Sequence, residues 1–166
     1  MSEATDPDID SGQFRQVLGN FPTGVTVVTA AGADRPVGVA IGSFASISLE
    51  PPLVGFFLGT RSGSWAPMES AGHFCVNVLR ADQKELCGVM ASGAEDKFDH
   101  VDTAPAPWSG APMLPGVQAV IDCRLDQVVE LGDHNLVVGR VMHLGLGEDG
   151  DAGPMVFFQG GYGTFG

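Results

Sequence analysis

The stretch Gly38-Val39-Ala40-Ile41-Gly42-Ser43-Phe44-Ala45-Ser46-Ile47-Ser48-Leu49-Glu50-Pro51-Pro52-Leu53-Val54 decides how the rest of the chain is read. It begins as a strand, changes to small and hydroxyl side chains, and stops at two prolines before a second apolar strand starts. Small residues let a flat ligand approach the backbone, and serines add donors and acceptors with little bulk. A strand end of this composition is a candidate cofactor edge.

Upstream of it, residues 25–29 are Val-Thr-Val-Val-Thr, and a Gly/Asp turn over 31–35 leads into 37–44, so the two segments are expected to form a hairpin. Before that, Phe14, Val17, Leu18 and Phe21 recur at helical spacing behind Ser11, the expected N-cap, until Pro22 ends the pattern. Downstream, residues 53–58 are wholly apolar and are expected to be buried on both faces. A loop over 59–63 follows, then a brief helix through Met68 capped by Ser64, a strand over 74–79, and a helix over 82–91 opened by Asp82. The proline-rich segment 104–115 reads as loop. Residues 117–131 and 136–146 are the longest extended segments; Gly132-Asp133-His134-Asn135 between them suits a tight turn and predicts a second hairpin. The last strand is 155–158, and the glycine-rich end from 160 is expected to pack little. Six or seven strands with few helices predict a mainly β fold, a small antiparallel barrel. Residues 1–11 are expected to be a flexible acidic tail, with 12–166 as one domain.

Twenty acidic residues against eight basic ones leave a formal net charge of −12, which excludes the dense cationic footprint of a nucleic-acid binder. The same shortage singles out Arg61, since any bound phosphate must rely on few cations and on backbone amides. Cys75, Cys87 and Cys123 are an odd number at wide spacing, which argues against a disulfide framework and points to a reducing cytoplasm. No apolar run approaches the ~20 residues of a membrane span. His73 and Cys75 share a strand face but lack two further ligands, so no metal site is expected and Cys75 is placed in the core. Residues 145–150 match a dinucleotide-fingerprint spacing, yet they leave a hairpin strand and precede no helix, so they read as an acidic loop. No nucleophile elbow and no acid/base constellation appear, as expected where the chemistry belongs to a cofactor.

In this order the motifs resemble those of the flavin reductase-like family with the FMN-binding split barrel. Phe21-Pro22-Thr23-Gly24-Val25-Thr26-Val27-Val28-Thr29 is similar to its first-strand signature, residues 43–52 to its flavin edge, and Arg61-Ser62-Gly63-Ser64-Trp65 to its phosphate loop. Asp96-Lys97-Phe98, Gly132-Asp133-His134 with Val138-Gly139-Arg140-Val141, and Phe157-Phe158 through Tyr162 resemble its later motifs, so that the resemblance covers residues 12–163. It implies an antiparallel Greek-key split barrel, a homodimer, and reduction of FMN or FAD by NADH or NADPH, with reduced flavin passed to a separate flavin-dependent monooxygenase. Ala40, Ile41, Gly42, Ser43, Ser46, Ile47 and Ser48 would line the isoalloxazine; Arg61, Ser62 and Ser64 would hold the phosphate, with Trp65 closing the pocket. Lys97 and Phe98 would flank the flavin or its phosphate tail, while His134, beside Asn135, would position the nicotinamide with Tyr162 nearby. Many relatives carry Thr and Asn where Ala40 and Gly42 stand, which shifts recognition toward backbone groups. A non-catalytic flavin carrier and a split-barrel oxidase of a small organic substrate are the competing readings. Arg35, Arg124 and Arg140 leave the choice between NADH and NADPH open.

Overall fold

A computed structural model of the chain describes residues 6–147 and 152–165; the first five residues of the expected tail, residues 148–151 of the acidic loop, and Gly166 lie outside the described residues. The elements in order are α1 (Ser11–Leu18), β1 (Thr23–Gly24), β2 (Thr26–Ala30), β3 (Val37–Ile41), β4 (Ala45–Leu49), β5 (Pro52–Gly59), α2 (Trp65–Ala71), β6 (His73–Val78), α3 (Lys84–Ala91), β7 (Ala104–Pro105), β8 (Pro112–Met113), β9 (Ala119–Leu131), β10 (His134–Leu146), β11 (Met155–Phe158) and β12 (Gly161–Thr164). Seven strands form one antiparallel sheet in the order β3-β2-β6-β9-β10-β5-β4. Its two edge strands, β3 and β4, are consecutive in the chain, so the sheet must curl to bring them together. Ser43 in the link between them seals the curl. Its hydroxyl accepts from Phe57 N at 2.9 Å and donates to Phe57 O at 3.2 Å.

The barrel interior is filled by Val28, Phe56, Met68, Phe74, Val76 and Val137, with Phe56 and Phe74 meeting edge to face at 5.2 Å. Gly139 makes room for that pair: a Cβ there would lie 2.3 Å from Phe74 Cζ. A second cluster of Val27, Leu79, Cys87, Met90, Leu114 and Met155 lies outside the barrel. Adjacent strand residues point to opposite faces, so Val27 and Val28 place β2 between the two clusters, and all five of its residues are buried. Burial on both faces therefore belongs to β2, and to the centre of β6 beside it, and not to the apolar run 53–58, where Phe57 is 43% exposed. Buried polar groups on β2 and β6 are matched: Asn77 donates to Val27 O (3.1 Å) and Thr29 Oγ1 (3.2 Å) and accepts from Leu114 N (2.8 Å).

Several local expectations shift. Asp10, not Ser11, caps α1, its carboxylate accepting from Gln13 N at 2.8 Å. Asp82 does not open α3, because its carboxylate is taken by Arg80 at 2.7 Å; Gln83 occupies the cap position. Segment 104–115 contains the β7–β8 pair and is anchored by buried Asp122, which accepts from Trp108 N and Ser109 N at 2.8 and 3.0 Å. The glycine-rich end forms β12, which pairs with β11, and β1 completes a separate three-stranded sheet. The long hairpin forms, but its turn is only Gly132-Asp133, with Gly132 at φ +63°, and His134 and Asn135, expected in the turn, open β10.

Candidate functional site

Alternation along β3 divides its side chains. Val37, Val39 and Ile41 face the barrel interior, while Ala40 packs with the cluster containing Met90. Gly38 shares the Ala40 side, where a Cβ would lie 3.0 Å from both Met90 Sδ and Phe98 Cζ. A Cβ on Gly42 would sit 3.0 Å from Thr23 Oγ1, so a larger residue there requires the threonine to move. Ile41 is buried and its carbonyl accepts from Thr26 Oγ1, leaving β3 only backbone and small side chains to offer a ligand.

At the start of this strand lies a cavity of about 370 Å³, walled by Gly38, Ser62, Ser64, Met90, Lys97 and Phe98 among others. Its size falls in the range of small-molecule sites. Lys97 Nζ donates to Gly38 O at 3.0 Å and Met90 O at 2.9 Å; an ammonium has three donors, so among the described residues one remains for a ligand. Partial burial draws Lys97 below the ordinary lysine pKa. Ser62 Oγ accepts from Ser64 N at 3.3 Å, and space around Gly63 is open. Lys97 and two hydroxyls thus converge on a concavity whose wall also carries Arg35 and Glu95, and the ammonium with the hydroxyls is a donor set that fits a phosphate monoester.

Other expected site residues are distributed around this centre. Arg61 is exposed and does not wall the cavity; its charge acts on Asp133, which it helps hold in the ionised form. Trp65, in the first turn of α2, packs against the barrel core and does not wall the cavity either. The Ser43 hydroxyl is committed to Phe57. Ser46 and Ser48 oppose Val54 and Leu53, with a bulge at Ile47 between them, and Ile47 Cδ1 occupies the space a Cβ on Gly55 would need. Asn135 is buried in the ladder between Leu58 and Glu130. Tyr162 rests on Phe157, ring centroids 5.4 Å apart, with its hydroxyl 3.5 Å from Cys87 Sγ; it makes no hydrogen bond to the long hairpin's tip among the described residues.

That tip carries His134, half-exposed, with Nδ1 2.6 Å from Asp133 Oδ1. The hydrogen bond and charge of His134 hold the Asp133 carboxyl below its usual pKa range. Thr60 donates to Asp133 O through both its backbone N (3.0 Å) and its hydroxyl (3.2 Å). The tip is therefore stitched to the segment that leads into Ser62 and Ser64. Sequence reasoning missed this stitch and Glu95, and it named Arg35 only as one possible contact for a nicotinamide 2′-phosphate; Arg35 and Glu95 line the same cavity and pair at 3.0 Å. Their only signal was the scarcity of cations.

Nucleophilic roles for Cys75 and Cys123 fail on electrostatics. Burial, reinforced by the Asp122 charge, pushes Cys75 up to about 12, and burial raises Cys123 as well. Among the described residues, no group of three or more His, Cys, Asp or Glu could hold a metal ion, and no helix is long and apolar enough to cross a membrane.

The fold is a β-barrel, and the cavity beside its strand β3 presents donors that fit a phosphate group. The chain belongs to the flavin reductase-like family, whose domain description, "Flavin reductase like domain", matches residues 18–166. It is 46% identical over 158 residues to a flavin reductase of Pseudomonas putida, covering 95% of this chain and 91% of that protein. It is also 46% identical over 154 residues to the reductase subunit of a flavin-dependent monooxygenase of Rhodococcus jostii, covering 93% and 77%. An NADH:FAD oxidoreductase of Streptomyces globisporus, solved with NAD and FAD fragments, superposes with a TM-score of 0.89 at 36% identity, covering 99% and 98%.

Proposed function

We propose that this chain is the reductase component of a two-component flavin-dependent monooxygenase. It is an NAD(P)H-dependent flavin reductase, an oxidoreductase that uses FMN or FAD with NADH or NADPH and delivers reduced flavin to a separate oxygenase. The observation that carries the site assignment is the cavity beside β3, where Ser62, Ser64 and the free donor of Lys97 converge.

Bound flavin supplies the hydride acceptor; the protein supplies position and a shielded face. Lys97, Ser62 and Ser64 hold the phosphate. Backbone groups of Ala40, Ile41, Gly42 and Ser43 would line the ring, with Ser46, Ile47 and Ser48 on β4, the next strand along the chain. His134 meets the nicotinamide and takes its ring orientation from Asp133, while Thr60 keeps tip and phosphate loop at a constant separation. The imidazole positions and does not transfer the hydride.

The working unit is a homodimer in the cytoplasm. Supporting the dimer, α1 buries none of its residues, and Phe14, Val17, Leu18 and Phe21 are all more than half exposed. The three free, buried cysteines suit a reducing compartment. Light scattering on the eluting protein tests the dimer, with a monomer counting against it. For the activity, purified protein is mixed with NADH or NADPH and with FMN or FAD. The expected result is nicotinamide oxidation that depends on added flavin; its absence with every pairing sinks the reductase reading.

A further inference from the structure

The cavity that holds Lys97 has a second charged feature. Arg35, in the turn between β2 and β3, reaches Glu95, in the segment after α3, at 3.0 Å. Both residues line the cavity, so their ion pair joins two chain segments at its wall. The side chains are 54% and 79% exposed, which places the pair among surface salt bridges that contribute little and exchange partners readily. On the other side of Arg35 a second cavity of about 340 Å³ opens, sharing Arg35, Val37 and Gly63 with the first. Arg35 thus stands between two adjoining concavities, only the first of which contains Lys97.

A flavin mononucleotide needs one phosphate site, which Lys97, Ser62 and Ser64 provide. Nothing in that role uses Arg35 or the second concavity. A guanidinium presents several donors in a planar fork that matches phosphate oxygens, and the pyrophosphate of a flavin dinucleotide carries two charges in all against the single charge of the carboxylate it would displace. Glu95 in turn would repel a phosphate that arrived without drawing Arg35 away.

We propose that the Arg35–Glu95 pair is a strap that opens for a flavin dinucleotide: Arg35 leaves Glu95 for the distal phosphate of FAD, and the adenosine end occupies the groove past Arg35. This rests on the reading that the proximal flavin phosphate sits at Ser62, Ser64 and Lys97. It makes FAD the better-bound flavin and gives Arg35 and Glu95 opposite effects on the choice between FAD and FMN.

The test is equilibrium binding of FAD and FMN by flavin fluorescence, with NADPH and NADH titrated separately, for the unmodified chain, Arg35→Ala, Arg35→Lys and Glu95→Gln. The expected outcome is tighter binding of FAD than of FMN, a loss of about tenfold in that preference for Arg35→Ala, and partial retention in Arg35→Lys. Glu95→Gln should widen the preference. Both positions are exposed, so melting curves should match that of the unmodified chain. An unmoved FAD-to-FMN ratio in both Arg35→Ala and Glu95→Gln, with FMN still bound, overturns the strap and leaves the flavin site standing. Loss of NADPH affinity without loss of FAD preference assigns Arg35 to a nicotinamide 2′-phosphate and also overturns it. Failure of the unmodified chain to bind either flavin removes the flavin reading beneath it.

Discussion

Asn77 and Lys97 are both polar side chains that touch backbone carbonyls, yet they belong to regions built for different purposes. Asn77 is fully buried, and its amide nitrogen and oxygen are both matched, by Val27, Thr29 and Leu114. Lys97 is partly buried at the edge of a cavity, and two of its donors are used where three exist. A polar group whose bonding is completed inside the fold holds the fold together. One left with a spare donor facing a concavity is available to a ligand. The same contrast separates Ser43, spent on both backbone groups of Phe57, from Ser62 and Ser64 at the cavity wall.

Substitutions in the two regions should separate stability from binding. Asn77→Ala leaves Leu114 N, Val27 O and the Thr29 hydroxyl without their partner and should destabilise the chain by about 3 kcal/mol, read as a lower midpoint in urea. Ser64→Ala should move that midpoint by no more than about 0.5 kcal/mol, since its hydroxyl makes only a 3.5 Å contact with Gly38 O. A comparable loss of stability in both would erase the distinction. At the hairpin tip, Asp133→Asn removes the anion that orients His134 and should raise the KM for NADH by a factor of about three to ten with a smaller change in kcat. Equal falls in kcat and kcat/KM would instead make the tip part of the transition-state machinery. A further effect is alkaline. Cys75 is shifted in the folded chain from 9.0 to about 12, so the stabilisation is complete below the unfolded pKa and is lost as pH rises from 9 toward 12. Stability measured across that interval should decline; a rise with pH would contradict the burial.

Much of the fold was legible because it rests on periodicity and turn chemistry. Gly132 and Asp133 between two long extended runs define the β9–β10 hairpin, and the β-branched run from Thr26 defines β2. Strands without apolar alternation were not legible. β12 is Gly-Tyr-Gly-Thr and has no such pattern, whereas β4, Ala-Ser-Ile-Ser-Leu, does alternate and was read only as the small-residue end of the strand before it. The 53–58 run misled because composition reports apolarity and not how many faces are covered; helix α3 and segment 112–117 cover β2 instead. In the candidate site, Ser62, Ser64, Lys97 and Phe98 do meet at one cavity. Arg61 and Trp65 do not wall it, since adjacency in sequence to Ser62 and Ser64 does not carry side chains to the same side of a loop. The Arg35–Glu95 pair joins residues 60 apart in sequence and had no local signature.

The proposed function requires that the third Lys97 donor meet a flavin phosphate. Riboflavin lacks that phosphate and FMN has it, so the decisive measurement is the dissociation constant of each for the unmodified chain and for Lys97→Met. The unmodified chain should bind FMN about tenfold or more tighter than riboflavin, and Lys97→Met should remove most of that difference while riboflavin affinity changes little. Equal affinity for the two flavins in the unmodified chain, or an undiminished preference for FMN in Lys97→Met, would contradict it.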